Sequence, residues 1–241
     1  MMRRRVVLTL CIVTAALAGA SAGPGLAGGE SAPPSGSERL RAIVRRVSEA
    51  QRRVESLEAR FRQTKTSALL LEPAVSTGTF LYRAPDRVRW EYEKPDPMVV
   101  VFDGNVLTTW DPGSRRLDRV KVSARQGRFV RVLAGTQPLE GLLQYFRVTL
   151  AGAPGGGDRL VLEPVDAALR RKIRSVRLDI DPTLHLPVAV EYVEADGDTT
   201  LYEFSDVAVN VPVPEDAFSI RTEGGARVET WDTSGGGPAA R

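Results

Sequence analysis

The chain carries a single histidine, His185, and a single cysteine, Cys11, so chemistry that depends on those two residue types has little to work with. One histidine without a neighbouring thiol builds neither a multi-histidine metal site nor a Cys-His nucleophile pair. His185 follows Asp181-Pro182-Thr183 and is flanked by Leu184, Leu186 and Pro187, the setting of a turn or strand end rather than of a general base. No serine sits in a recognisable nucleophile elbow, and no P-loop is present. Gly155-Gly156-Gly157 reads as a loop. Carboxylates two residues apart, Glu91 with Glu93 and Asp179 with Asp181, are the remaining acid–base candidates. On a strand such spacing usually marks a solvated face, whereas catalysis would need a buried pair with separated pKa values. The expectation is therefore a protein that is not an enzyme, with no catalytic residue, no metal and no cofactor.

The N-terminus gives an address. Arg3, Arg4 and Arg5 precede an apolar run from Val6 to Ala20, too short to span a bilayer comfortably, and Ala20-Ser21-Ala22 is a small-x-small cleavage pattern. Residues 1–22 are expected to be a removed secretory signal, and 23–37, rich in Gly, Pro and Ser, a flexible leader. A single folded domain over 38–222 and a C-terminal tail over 223–241 complete the expected organisation. Cys11, preceded by Leu10, lies inside the apolar run and does not read as a lipidation site. The formal charge of +3 matches the three arginines of the signal, so the exported chain is nearly neutral and lacks the clustered positive charge of a nucleic-acid binder.

The elements follow from periodicity. Leu40, Ile43, Val44, Val47, Val54, Leu57 and Phe61 fall at helical spacing behind Ser37, which predicts one long amphipathic helix from Glu38 to about Phe61. Past Gly78 the period shortens, and strands are predicted over 77–83, 87–93, 98–102, 106–110 and 116–122. Turn sequences such as Asp103-Gly104-Asn105 and Asp111-Pro112-Gly113-Ser114 punctuate them. A short helix is predicted over 138–146, with Pro138 in its first turn, while 126–133 is ambiguous. Further strands are predicted over 147–151, 159–164, 172–180, 187–194 and 199–207. Within the early strands Phe80 and Tyr82 share one face, as do Val88, Trp90 and Tyr92, while Arg87, Arg89, Glu91 and Glu93 occupy the other.

The order of these pieces resembles the outer-membrane lipoprotein carrier family, LolA. The resemblance rests on an amphipathic segment ending in Phe61-Arg62-Gln63-Thr64, then Gly78-Thr79-Phe80-Leu81-Tyr82-Arg83-Ala84-Pro85 and Arg89-Trp90-Glu91-Tyr92. It continues through Pro95, Asp103-Gly104, Trp110-Asp111-Pro112, Pro138-Leu139 with Leu142-Leu143, and the closing Pro214 to Phe218. It implies an α+β fold, an incomplete antiparallel β-barrel of about 11 strands lidded by a long N-terminal helix and a shorter internal one. It also implies a monomeric periplasmic chaperone that takes acylated lipoproteins from an inner-membrane ABC transporter to an outer-membrane receptor. On that resemblance Phe80, Tyr82, Val88, Trp90, Tyr92, Val100 and Phe102 are expected to line a lipid cavity, and Leu139, Leu142 and Leu143 to belong to a lid. Where the family often carries an Arg immediately before the proline of the second strand, this chain has Ala84, which leaves Arg83 and Arg89 as possible latch residues. Two other readings stand beside the carrier: a lipid-sensing regulatory domain of the same fold, and a carboxylate-dependent periplasmic enzyme.

Overall fold

The computed structural model describes residues 36–122, 138–153, 157–165, 167–222, 226–232 and 237–238. The first element is a helix, α1, over Gly36–Arg52. Its Ile43, Val44 and Val47 are buried, as the apolar stripe requires.

The helix ends nine residues short of Phe61, which corrects the single long helix expected there. After Val54-Glu55 the chain enters a strand, β1, over Ser56–Thr66. Leu57 and Phe61 lie four apart and satisfy either period. What decides is that β1 pairs along nearly its whole length with two neighbours, Phe61 facing Gly78 on one side and Phe204 on the other. A helix there would leave both neighbouring strands with unpaired edges. On β1, Ala59 and Phe61 are buried while Glu58, Arg60 and Arg62 face water.

A meander follows: β2 (Ala74–Arg83), β3 (Arg87–Lys94), β4 (Met98–Phe102), β5 (Val106–Asp111) and β6 (Arg116–Lys121). The turn between β4 and β5 is fixed by the Asp103 carboxylate, which accepts the N–H groups of Asn105 and Val106, and by Gly104 at φ 94°. The expected second helix is a single 3-10 turn, Leu139–Leu142, and Phe146 already begins the next strand. The second meander is β7 (Phe146–Gly152), β8 (Asp158–Pro164), β9 (Ile173–Ile180), β10 (Pro187–Glu194) and β11 (Thr199–Val209). One helical turn, α2 (Ala167–Arg170), lies between β8 and β9.

The two meanders join because β1 pairs with β11; with two C-terminal strands, β12 (Arg227–Asp232) and β13 (Gly237–Pro238), the order is β13-β12-β6-β5-β4-β3-β2-β1-β11-β10-β9-β8-β7. β7 and β13 form the free edges, so the barrel is incomplete, as expected. Among the described residues the sheet has 13 strands, against the about 11 expected. Beyond the ten strands predicted segment by segment, one is β1 and two come from the stretch expected to be a tail. Past Asn210 the chain crosses β1 to β5, and β12 (Arg227–Asp232) then pairs in parallel with β6, followed by β13 (Gly237–Pro238). The crossing is tied down as it goes: Ser56 Oγ donates to the Val211 carbonyl at 2.6 Å, and the Asn210 side chain receives the Glu55 N–H at 2.8 Å. A 3-10 turn, Glu215–Phe218, lies against β3.

The core has two parts. One, under α1, gathers Ile43, Val47, Leu139, Leu142, Leu160 and Leu162 with their neighbours on β9 and β10. The other, on the first meander, gathers Phe61, Phe80, Val88, Tyr92, Val100 and Phe102. Tyr202 and Phe204 of β11 pack against both.

Candidate functional site

Alternation on β2 and β3 puts every aromatic residue of that pair on the concave side. Phe80 stands opposite Trp90 and Tyr82 opposite Val88 in the register. Trp90 then faces Val100, and Val88 faces Phe102, across the next pair. All seven side chains expected to line a cavity are thus gathered on one surface: Phe80, Val88, Tyr92, Val100 and Phe102 buried, Tyr82 and Trp90 packed against them. The rings meet at angles rather than in parallel stacks. Phe61 lies 4.8 Å from Trp90 and 5.0 Å from Tyr92 at near-perpendicular inclinations, and Phe80 lies 4.6 Å from Trp90. Phe61 reaches this position because Gly78, its partner across β1 and β2, has no side chain. A Cβ there would stand 1.9 Å from the Glu91 carbonyl oxygen and 2.9 Å from the Phe61 ring.

Two buried phenols, Tyr92 and Tyr192, and a half-buried one, Tyr202, lie where this surface meets the other half of the core. Burial, followed by the proximity and hydrogen bond of Tyr202, holds the Tyr92 hydroxyl well above the ordinary range, and burial does the same for Tyr192. Burial raises Tyr202 as well, against the opposing pull of its hydrogen bond with Tyr92. These groups remain neutral at any physiological pH, so the concave surface carries no charge from them.

Between the two halves of the core the packing opens into a cleft of about 70 Å³. Gln51 in the last turn of α1 and Val54 just past it, with Leu57 of β1, form its rim. Phe80 and Tyr82 form one wall, and Leu186, Val190, Phe204 and Val207 the other. Of the seven expected cavity residues only Phe80 and Tyr82 line this open space; the remaining five fill the adjoining volume with their own side chains. A pocket for a drug-sized ligand measures about 300–1,000 Å³, so in this conformation the cleft is a seam between packed halves rather than a finished container.

The 3-10 turn expected to belong to a lid packs against α1. The 3-10 turn inserts Leu139 (1% exposed) and Leu142 (4%) beneath α1, while Leu143 (44%) points outward. Gln51, at the cleft's rim, accepts the Leu139 N–H at 2.9 Å, and Arg52 pairs with Glu140 at 2.7 Å. Among the described residues the turn is held to α1 by two buried leucines, one hydrogen bond and a half-exposed ion pair.

Neither expected latch residue bonds to that turn among the described residues. Arg89 lies on the convex face, where it binds Glu91 at 2.8 Å and donates to the carbonyls of Ala217 and Ser219, each at 3.3 Å. It anchors the C-terminal crossing rather than the lid, since a strand position of that parity points away from the aromatic face. Arg83 shares that parity, and its Nη1 is buried with no hydrogen-bond partner among the described residues.

The carboxylates weighed for acid–base chemistry are engaged structurally. Glu91 is held by Arg89, Glu93 by Arg60 at 2.9 Å, and Asp179 by two bonds from Arg159. Asp181 accepts the N–H groups of Thr183 and Leu184 and so closes the turn that carries His185 at φ 54°. No group of three or more potential metal ligands occurs among the described residues. No helix among them is long and apolar enough to cross a membrane.

Sequence reasoning missed Phe61, Tyr202 and Phe204 as part of this surface. Phe61 was hidden by the helical reading of its segment. Tyr202 and Phe204 alternate with Glu203 and Ser205 on β11, a period-two signal as plain as that on β2.

The class of protein this geometry defines is an open, mostly antiparallel half-barrel whose concave face is apolar and whose central seam lies against the end of a helix. Residues 52–221 match the model of the family described as outer membrane lipoprotein carrier protein LolA, and the chain belongs to that family. An outer-membrane lipoprotein carrier protein of Alkalilimnicola ehrlichii is 31% identical over 181 residues, covering 73% of this chain and 78% of the relative. A protein of the same description from Cupriavidus necator is 26% identical over 233 residues, covering 94% and 99%. The crystal structure of an uncharacterized conserved protein from Thermus thermophilus superposes with a TM-score of 0.51 at 12% identity, over 80% of this chain and 99% of that one, a likeness of fold.

Proposed function

We propose that this chain is a periplasmic carrier that takes up the acyl chains of lipoproteins between its two halves and moves them from the inner to the outer membrane. The observation that carries the reading is the seam itself. Two apolar surfaces meet there along β1 and β11 without fusing into one core, and the turn that carries the expected lid leucines is bonded to Gln51 at the cleft. Each methylene transferred from water into such a surface gains about 0.8 kcal/mol. No covalent step is required of the protein, in keeping with carboxylates that serve ion pairs and turns.

In this reading the turn covers the seam and moves aside, Phe80 and Tyr82 make the first contact, and the acyl chain displaces packing around Val88, Trp90, Tyr92, Val100 and Phe102. Leu139 and Leu142 are the plugs withdrawn, and Leu143 gives the turn an apolar outer side. Acylated lipoproteins are the cargo, and an inner-membrane ABC transporter and an outer-membrane receptor are the partners between which a monomer shuttles. The test is native mass spectrometry of the exported protein purified from a bacterial periplasm. An acylated polypeptide in the complex is the expected result. A free phospholipid in its place would make the protein a lipid-transfer protein instead, and a persistently empty chain would remove the carrier reading.

A further inference from the structure

The hairpin joining β1 to β2 ends in Ser67-Ala68-Leu69-Leu70-Leu71-Glu72-Pro73. Leu69 and Leu71 are each 94% exposed, whereas the other large exposed hydrophobics among the described residues lie between 38% and 55%. Two leucines held almost wholly in water are an unfavourable arrangement unless something else covers them.

The tip is folded, and its fold keeps them out. The Leu70 N–H donates to the Ser67 carbonyl at 3.0 Å and the Leu69 N–H to Ser67 Oγ at 3.2 Å, which closes a turn that prevents the leucines from collapsing onto the sheet. The tip is the apex of a hairpin, where Leu69 and Leu71 project into solvent. Consecutive leucines on such a turn point in different directions, which suits an apolar phase without fixed shape better than a pocket. The surrounding charge sets the kind of surface. Lys65 and Glu72 balance within the hairpin, and the adjacent β10–β11 turn, next to it because Thr66 pairs with Thr199, carries Glu194, Asp196 and Asp198. A strongly anionic membrane would be repelled there; a zwitterionic one would not.

We propose that the Leu69–Leu71 tip inserts into the boundary between headgroups and acyl chains of a zwitterionic phospholipid bilayer and so docks the protein on a membrane surface. The insertion does not depend on what the central seam binds. Each leucine contributes roughly tenfold to the partition coefficient, so the dock is weak and reversible. Neutral insertion also leaves it insensitive to ionic strength.

The test is flotation of the exported protein with protein-free phosphatidylcholine vesicles, at low and high salt, comparing the parent, the double variant Leu69→Ser/Leu71→Ser, and Val165→Ser as a control at a half-exposed apolar site elsewhere. The parent and the control are expected to float alike at both salt concentrations. The double variant is expected to lose on the order of a hundredfold in partitioning with unchanged thermal stability, because side chains so exposed contribute nothing to the core. Equal flotation of the double variant and the parent would overturn the proposal. So would a parent that ignores protein-free vesicles and binds only membranes containing a receptor protein, which would make the tip a protein dock. Failure here leaves the mass-spectrometric test of the carrier untouched, since that experiment reads the seam and not the hairpin.

Discussion

If the Leu139–Leu142 turn covers the seam and gates access, loosening it should tighten lipid binding while weakening the fold. Withdrawing the 3-10 turn exposes Leu139 and Leu142, at about 1.5–3 kcal/mol each, and breaks the Gln51–Leu139 bond, worth about 1 kcal/mol. The Arg52–Glu140 pair is half exposed on both sides and adds at most about 1 kcal/mol. Closure is therefore worth about 4–8 kcal/mol, and the open form is populated at about one part in 10³ to 10⁶. An acyl chain of about 16 carbons offers roughly 12 kcal/mol of transfer free energy, enough to hold the open form. Leu142→Ala removes about 2 kcal/mol of the closing energy, so the open population rises roughly thirtyfold. The apparent Kd for a fluorescent fatty acid should fall by a similar factor. Thermal unfolding measured beside it should show a lower Tm, because Leu142 is also a core residue and such truncations cost about 2–5 kcal/mol. A lower Tm with an unchanged or weaker Kd would refute the reasoning, since Leu142 would then be packing alone.

Gly78→Ala should destabilise the fold by about 3 kcal/mol or more, because the added Cβ meets the backbone carbonyl of Glu91 and no side-chain rotation relieves the overlap; a denaturant midpoint equal to the parent's would contradict this. Arg89→Ala should cost about 1 kcal/mol of stability by freeing the C-terminal crossing, with fatty-acid binding unchanged. A selective loss of binding would return Arg89 to the role of latch. The raised pKa values of Tyr92, Tyr192 and Tyr202 predict alkaline instability with a defined sign. The unfolded chain releases these protons near the usual tyrosine pKa of about 10 and the folded chain only above it, so their contribution is complete below pH ~10 and is lost as pH rises further. Spectrophotometric titration should show these phenols ionising together with unfolding; smooth ionisation of all five tyrosines in the native protein would count against their burial.

Local pattern determined a good deal. A strand places alternate side chains on opposite faces, so the aromatic set on β2 and β3 was legible from spacing, as were the charged backs of the same strands. The turns were legible because Asp103-Gly104 and Asp181-Pro182 carry their conformations in their own side chains and ring. The absence of a histidine or cysteine constellation was a matter of counting.

What local pattern could not determine was anything settled by a distant partner. Leu57 and Phe61 suit a helix as well as a strand, and β2 and β11, one of them about 140 residues away along the chain, decided between the two by pairing with β1. The sequence of β12 did not announce that it would join β6 in parallel after crossing the convex face. The seam belongs to the tertiary structure alone: Gln51, Tyr82, Leu186 and Val207 become neighbours only when the two meanders join. Alternation and turns are written in adjacent residues, whereas a gap between two packed surfaces exists only once both surfaces have found each other.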